Sequence, residues 1–401
     1  MTVTRRGTLA LGAGLAFGGS ALAASPVETP FRVVRNQPWA AVTINGKDPL
    51  AFLIDTGAGN FAITPPAATT LGLVPVTTGQ VQAAVGRLNT DIYHCKSLVI
   101  GGGVRERDVY MVGMSAGRYD FISGIIPIAR FGVMGLDFDR QILSVSRTLD
   151  GSPEGYEAID TFARGATFGT TNRLGAYARD DQSVNELDQR PVIQANLDGR
   201  PLRLLVDTGA SMSLALEPDF VRRHNLWDAF PASAESAVRT FARTAHVRVV
   251  RGGRLEFGRF AFESPIVTLG NPADSDEDGT DDIDGVIGFE LVRRFNFLNH
   301  PGRKRLYIKP SQALHDVYRY DRAGIEIDAV DGVLRVIWVR QGGPAARAGL
   351  VLGDKVTGWR GKDGYYGLVW ALTGAPGTRV EIQVERAGTP SMIAVELQDS
   401  V

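Results

Sequence analysis

The chain has 401 residues, 44% of them hydrophobic and 22% charged, with a formal net charge of −1. That length exceeds one ordinary core and predicts about two to four globular domains, while the near-zero charge gives no electrostatic reason to expect a nucleic-acid partner. The single cysteine, Cys95, excludes an intramolecular disulfide and is expected to be an inert packing residue rather than a nucleophile.

Residues 1–24 have the pattern of a signal peptide. Arg5 and Arg6 precede a mildly apolar, Gly/Ala-rich run from Leu9 to Ala21, and Ala21-Leu22-Ala23 forms a small-residue cleavage site. Thr4-Arg5-Arg6 with Leu9 resembles a twin-arginine export signal, with Thr8 where a Phe is usual. The expectation is export to a bacterial periplasm by that route or the general secretory one. No later segment approaches the ~18 unbroken apolar residues of a membrane span, so stable membrane insertion is not expected.

Next comes a duplication. Pro49-Leu-Ala-Phe-Leu-Ile-Asp-Thr-Gly-Ala-Gly-Asn60 lines up with Pro201-Leu-Arg-Leu-Leu-Val-Asp-Thr-Gly-Ala-Ser-Met212. Each is preceded by a strand-like run ending in Asn45-Gly46 or Asp198-Gly199, which predicts a hairpin. Phe52-Leu53-Ile54 and Leu204-Leu205-Val206 are predicted as buried strands running directly into the Asp-Thr-Gly turn. Downstream, Gly132–Phe138 (GVMGLDF) is paired with Gly285–Leu291 (GVIGFEL). The two units span 30–150 and 185–312, mainly short strands and turns, with 151–184 as the crossover between them.

An Asp at the end of a buried apolar strand is costly unless it has hydrogen-bond partners. The Gly that follows lets its N–H approach the carboxylate, and the Thr offers a hydroxyl to the opposite unit. Two such units around a pseudo-two-fold axis would bring Asp55 and Asp207 together. Two carboxyls in contact share a proton, so one can act as base on a bound water while the other polarises a carbonyl.

Asp55-Thr56-Gly57-Ala58 and Asp207-Thr208-Gly209-Ala210 resemble the motif of the retropepsin and pepsin families of aspartic proteases. The resemblance implies two pseudo-symmetric β lobes around a central cleft. It implies Asp55 and Asp207 as the catalytic pair, with Thr56, Gly57, Thr208 and Gly209 as support, and hydrolysis of a peptide or protein substrate. It also implies a covalent version of the retropepsin dimer, monomeric and needing no cofactor. No glycine-rich flap is evident; Ala84–Asn89 and Arg239–Thr244 are the flap candidates. The alternative is a catalytically silent module of the same shape that binds peptides or proteins.

Residues 320–401 differ in character. Gly343-Pro-Ala-Ala-Arg-Ala-Gly-Leu350 and Leu352-Gly-Asp-Lys-Val356 resemble a bacterial PDZ domain, a small β-rich fold. By that resemblance the backbone of Arg322, Ala323, Gly324 and Ile325 would receive the carboxylate of a protein C-terminus, and the strand from Ile325 would accept a peptide. Asp274, Asp276, Asp278 and Asp282 have the spacing of calcium ligands, but Gly285 stands where a bidentate Glu is needed, so an acidic solvated loop is the plainer expectation. The five histidines have no metal-ligand spacing.

Overall fold

The computed structural model describes residues 25–34, 36–82, 87–114, 122–128, 131–146, 148–164, 188–230, 232–239, 244–274, 283–330, 333–362 and 364–401. The leader-like residues 1–24 and most of the crossover, 165–187, lie outside the described residues.

Each lobe is organised around the predicted hairpin. Strands Pro38–Ile44 and Leu50–Asp55 pair with Trp39 opposite Leu53, and Asp188–Leu197 and Arg200–Asp207 pair with Val192 opposite Leu205. The turn residues Asn45 and Gly46 have φ of 50° and 71°, and Asp198 and Gly199 have 53° and 80°. Positive φ at both central positions favours Asn-Gly and Asp-Gly; in lobe 2 they form a two-residue hairpin loop with Leu197 opposite Arg200, whereas in lobe 1 the turn opens a longer connection that rejoins with Val42 opposite Leu50.

The strand leading to each Asp-Thr-Gly turn gains a parallel neighbour. Leu50–Asp55 lies beside Gly124–Pro127, and Arg200–Asp207 lies beside Gly285–Gly288. This corrects the expected pairing of Gly132–Phe138 with Gly285–Leu291. The lobe 1 counterpart of Gly285 is Gly124. A Cβ at either position would stand 2.3 Å from a backbone oxygen, that of Ala62 or of Ala215, on the strand threaded alongside. Val133–Asp137 has a different task. It pairs antiparallel with Ile142–Ser146 and, across the lobe boundary, with Phe295–His300.

That pairing makes one six-stranded surface from both lobes: Val27–Pro30, Ile142–Ser146 and Val133–Asp137 from the first, then Phe295–His300, Arg305–Pro310 and Glu157–Arg164. The two lobes also share one contiguous apolar core. Phe138 sits at the junction, edge-on to Phe31 of its own lobe and to Phe289 of the other. Beneath it the buried Asn296 accepts from Phe138 N at 2.7 Å and donates to Asp139 Oδ2 at 2.7 Å.

The C-terminal residues form a separate five-stranded sheet in the order Ile325–Val330, Val333–Val339, Lys355–Trp359, Arg379–Arg386, Thr389–Glu396, with its own core. Short helices cover it at Pro344–Arg347 and Gly364–Ala371. Arginines dock this domain on lobe 2. Arg319 stacks 3.6 Å from the Trp370 ring centroid, Arg251 Nε donates to Val401 O at 3.0 Å, and Arg340 Nε donates to Glu235 O at 2.8 Å. Among the described residues no helix is long and apolar enough to cross a membrane.

Asn296→Ala leaves the Phe138 N–H unpaired at the lobe junction. Loss of a buried partner of this kind is expected to cost about 1–3 kcal/mol, read as a lower urea midpoint with an unchanged denaturant slope.

Candidate active site

The junction of the lobes places Asp55 and Asp207 at the ends of their strands, facing each other. The residues before them, Ile54 and Val206, are buried, so each chain emerges from the core at its carboxyl group. The turn that follows folds back on that group. Gly57 N and Ala58 N donate to Asp55 Oδ1 at 2.8 and 2.9 Å, and Gly209 N and Ala210 N donate to Asp207 Oδ1 at 2.7 and 3.3 Å.

The glycines make the meeting possible. A Cβ on Gly57 would stand 2.4 Å from Asp207 Cγ, and one on Gly209 would stand 2.6 Å from Asp55 Cγ. Each lobe's glycine therefore lies against the other lobe's carboxyl group, where no side chain fits.

The threonines lock the two turns. Thr56 and Thr208 are fully buried. Thr56 Oγ1 donates to Val206 O at 2.5 Å and accepts from Thr208 N at 2.9 Å. Thr208 Oγ1 donates to Ile54 O at 2.7 Å and accepts from Thr56 N at 3.1 Å. Each hydroxyl thus spends its donor and an acceptor on the opposite strand, and four hydrogen bonds cross the pseudo-two-fold axis.

Two outer contacts cross as well, and neither was anticipated from the sequence. Gln37 Nε2 donates to Gly209 O at 3.0 Å, and Arg190 Nη1 donates to Gly57 O at 2.9 Å. Asn36 Nδ2 adds a bond to Ser211 O at 3.0 Å. Gln37 and Arg190 hold corresponding places, each just before the proline that opens its hairpin, and each reaches the glycine carbonyl of the other lobe's turn. The Gln37-Pro38 and Arg190-Pro191 pairs in the aligned segments were the available signal.

The carboxyl groups of Asp55 and Asp207 lie close enough to shift each other's ionisation. Burial, then the charge and hydrogen bond of Asp207, hold the Asp55 carboxyl well above the ordinary carboxylate range, against the pull of the Gly57 and Ala58 N–H groups. Burial also raises Asp207, but the Gly209 N–H, the Asp55 carboxyl, the Ala210 N–H and the Arg190 guanidinium all act downward. Such a pair holds one proton more readily than none or two.

The other sequence candidates fall partly outside the described residues. The flap candidates fall at hairpin ends, Pro75–Gln82 with Arg87–Ile100 and Ser233–Arg239 with Thr244–Arg251, whose tips at 83–86 and 240–243 are outside the described residues. Asp274 closes a single turn at Pro272–Asp274, and Asp276, Asp278 and Asp282 also lie outside the described residues. Among the described residues no cluster of three or more His, Cys, Asp or Glu side chains could hold a metal. Cys95 is buried, and burial pushes its thiol up to about 11, which suits a packing role.

The expected carboxylate-receiving loop needs correction. Arg322 N donates to Leu372 O at 3.2 Å, while Ala323 N and Gly324 N donate to Asp321 Oδ1 at 2.9 and 3.0 Å. The Ile325 N–H also acts on the Asp321 carboxyl. The chain's own carboxylate already fills the place assigned to a peptide terminus, because Asp321 stands two residues before Ala323 and three before Gly324, whose N–H groups turn toward it.

Comparison with known proteins agrees with the duplication. The sequence model of the aspartyl protease family matches residues 40–138 and again 193–291, one match in each lobe. No curated protein matches the chain. Among solved structures, the aspartic proteinase from Irpex lacteus aligns over 73% of this chain and 99% of its own, at 11% identity and a TM-score of 0.44. The fold is mainly β, with two aspartic-protease-like lobes.

The raised carboxyls make a stability prediction. A carboxyl whose folded pKa lies above its unfolded value of about 3.9 contributes fully below that pH and loses the contribution as pH rises through the folded value. Asp55→Asn keeps an oxygen for Gly57 N and Ala58 N but removes the second ionisation. Its melting temperature relative to wild type is therefore expected to rise from about pH 3 to about pH 7. A difference that stays constant across that range would contradict the assigned shifts.

Proposed function

We propose that this chain is an exported, single-chain aspartic endopeptidase of retropepsin type. One observation carries the reading: two aspartates, one from each lobe and each lying against the other lobe's glycine, meet above a crossed threonine lattice. The two family matches, one per lobe, support it. The leader-like residues 1–24 support export.

The chemistry follows from a pair that holds one proton. The ionised carboxylate takes a proton from a bound water as the water oxygen attacks the peptide carbonyl carbon. The protonated carboxyl donates to the carbonyl oxygen, giving a neutral tetrahedral gem-diol. Transfer of a proton to the amide nitrogen then lets the C–N bond break, and the acid and amine leave with the pair returned to its single-proton state. The glycine and alanine N–H groups under each carboxyl hold its Oδ1 in place throughout.

The test is cleavage of an unstructured protein from about pH 3 to about pH 8 by wild type, Asp55→Asn and Asp207→Asn. Each variant is expected to lose at least about 10²–10⁴ of the rate, the range assigned to a positioned acid or base. Full activity in either variant would refute the shared-pair mechanism. A folded wild type that captures peptides without cutting at any pH would favour a binding module.

For residues 320–401 we propose a PDZ-like module that takes a peptide along the edge strand Ile325–Val330. Because Asp321 fills the terminal-carboxylate position, a free-acid peptide and its C-terminal amide are expected to bind alike. Isothermal calorimetry checks this. Strong preference for the free acid would mean that Asp321 is readily displaced.

A further inference from the structure

We propose that Arg190 makes the two aspartates unequal and assigns Asp207 as the base that receives the water proton, leaving Asp55 as the carrier of the shared proton. The inference rests on the protease reading, and it concerns a positioning residue that touches neither substrate nor the reacting atoms.

The two turns cross at the lobe junction. Gly57 belongs to lobe 1 but lies against the carboxyl of Asp207 in lobe 2. A side chain anchored on the Gly57 carbonyl is therefore on the Asp207 side of the pair. The group anchored there is the Arg190 guanidinium, at 2.9 Å, and it stays protonated at any pH at which the protein folds. By the same crossing, Gly209 lies against Asp55, and the group anchored on its carbonyl is the neutral amide of Gln37, at 3.0 Å.

The backbone beneath the pair is close to two-fold symmetric. Each carboxyl accepts two N–H bonds from its own turn, and each threonine hydroxyl makes the same pair of bonds across the axis. The outer position breaks that symmetry by one full positive charge. The Arg190 cation acts to lower the Asp207 carboxyl, whereas the charge that acts most on Asp55 is the other carboxyl, Asp207. A fixed cation favours the ionised form of the carboxyl it faces. The proton shared by the pair then resides on Asp55, and the carboxylate at Asp207 is ready to accept a proton from water.

Two measurements test this. The first is the pH dependence of kcat/KM for wild type, Arg190→Gln and Arg190→Lys. Arg190→Gln repeats the neutral amide of the other lobe, so its acidic limb is expected to move toward neutral pH, the direction set by removing a nearby opposite charge. Arg190→Lys keeps the charge and is expected to retain a limb close to that of wild type. Gln37→Arg adds the mirror cation beside Asp55 and is expected to lower the basic limb instead. A uniform rate loss in Arg190→Gln with superimposable limbs would show a purely structural contact and overturn the assignment. Should Arg190→Gln not fold, Gln37→Arg still decides it, since an unmoved basic limb would contradict the argument.

The second measurement needs no turnover. The side-chain carboxyl carbons of Asp55 and Asp207 are titrated by NMR in folded protein, with assignments from Asp55→Asn and Asp207→Asn. Asp207 is expected to ionise first in wild type, and the order is expected to converge in Arg190→Gln. Asp55 ionising first, or no change on removing Arg190, would sink the proposal even in a protein that cleaves well. Absence of cleavage with the expected titration order would instead sink the protease reading and leave the electrostatic one standing.

Discussion

Two carboxyl groups must be held in contact at the half-buried junction of the lobes, and nearly every other feature of the lobes serves that demand. Bringing them together is unfavourable in itself, since burial and mutual repulsion both oppose ionisation. The compensation is local and complete. Four N–H groups donate to one oxygen of each carboxyl, two threonine hydroxyls tie the turns across the axis, and two glycines supply the clearance. Remove the side-chain-free positions and the carboxyls could not approach; remove the hydroxyls and the turns would not be fixed relative to each other.

Holding that contact requires a frame that does not let the lobes slide. The pairing of Met134, Gly135 and Leu136 with Asn299, Leu298 and Phe297 makes the lobes one sheet at their base, and the shared core makes them one packed body. A single chain has a further freedom that a dimer of identical subunits lacks. A substitution in such a dimer enters both halves at once, whereas here Gln37 and Arg190 have diverged at corresponding positions. Gly59 and Ser211 likewise differ after otherwise identical turns. Electrostatic inequality in the pair is thus written into the covalent sequence and need not wait for an asymmetric substrate.

The C-terminal domain shows a different economy. Its contacts with lobe 2 combine an apolar cluster, Val249 and Ile266 with Tyr320 and Val401, with arginines whose stems and planes cover apolar or aromatic surface while their N–H groups reach backbone oxygens. Arg340 reaches the hairpin strand Ser233–Arg239, one of the two that project toward the flap candidates. At the start of the linker, Glu290 is fully buried among Arg293, Arg294 and the Arg319 N–H. An ion cluster of this kind is costly to break at one partner, which favours one fixed exit direction for the chain after lobe 2.

Much of this was legible in the linear chain because it depends on local chemistry. Apolar runs into Asp-Thr-Gly mark buried strands ending in a polar turn, and Asn45-Gly46 and Asp198-Gly199 mark turns that need positive φ. Duplication of both implies two lobes and one meeting point. What the sequence could not decide depended on which segments come together in space. Gly132–Phe138 matched Gly285–Leu291 letter by letter, yet Gly124–Pro127 takes the equivalent place, because threading is set by backbone clearance against Ala62 and not by the spelling of the strand. Asp321 lies outside the loop once assigned to a peptide terminus, and only the fold of Ala323 and Gly324 shows where their N–H groups point. Gln37 and Arg190 are ordinary polar residues on the page of the sequence. Their importance arises from the crossing of the two turns, which carries each of them to the opposite lobe's carbonyl. The sequence by itself determined that two aspartates would meet; the tertiary structure alone decided which of them faces the cation.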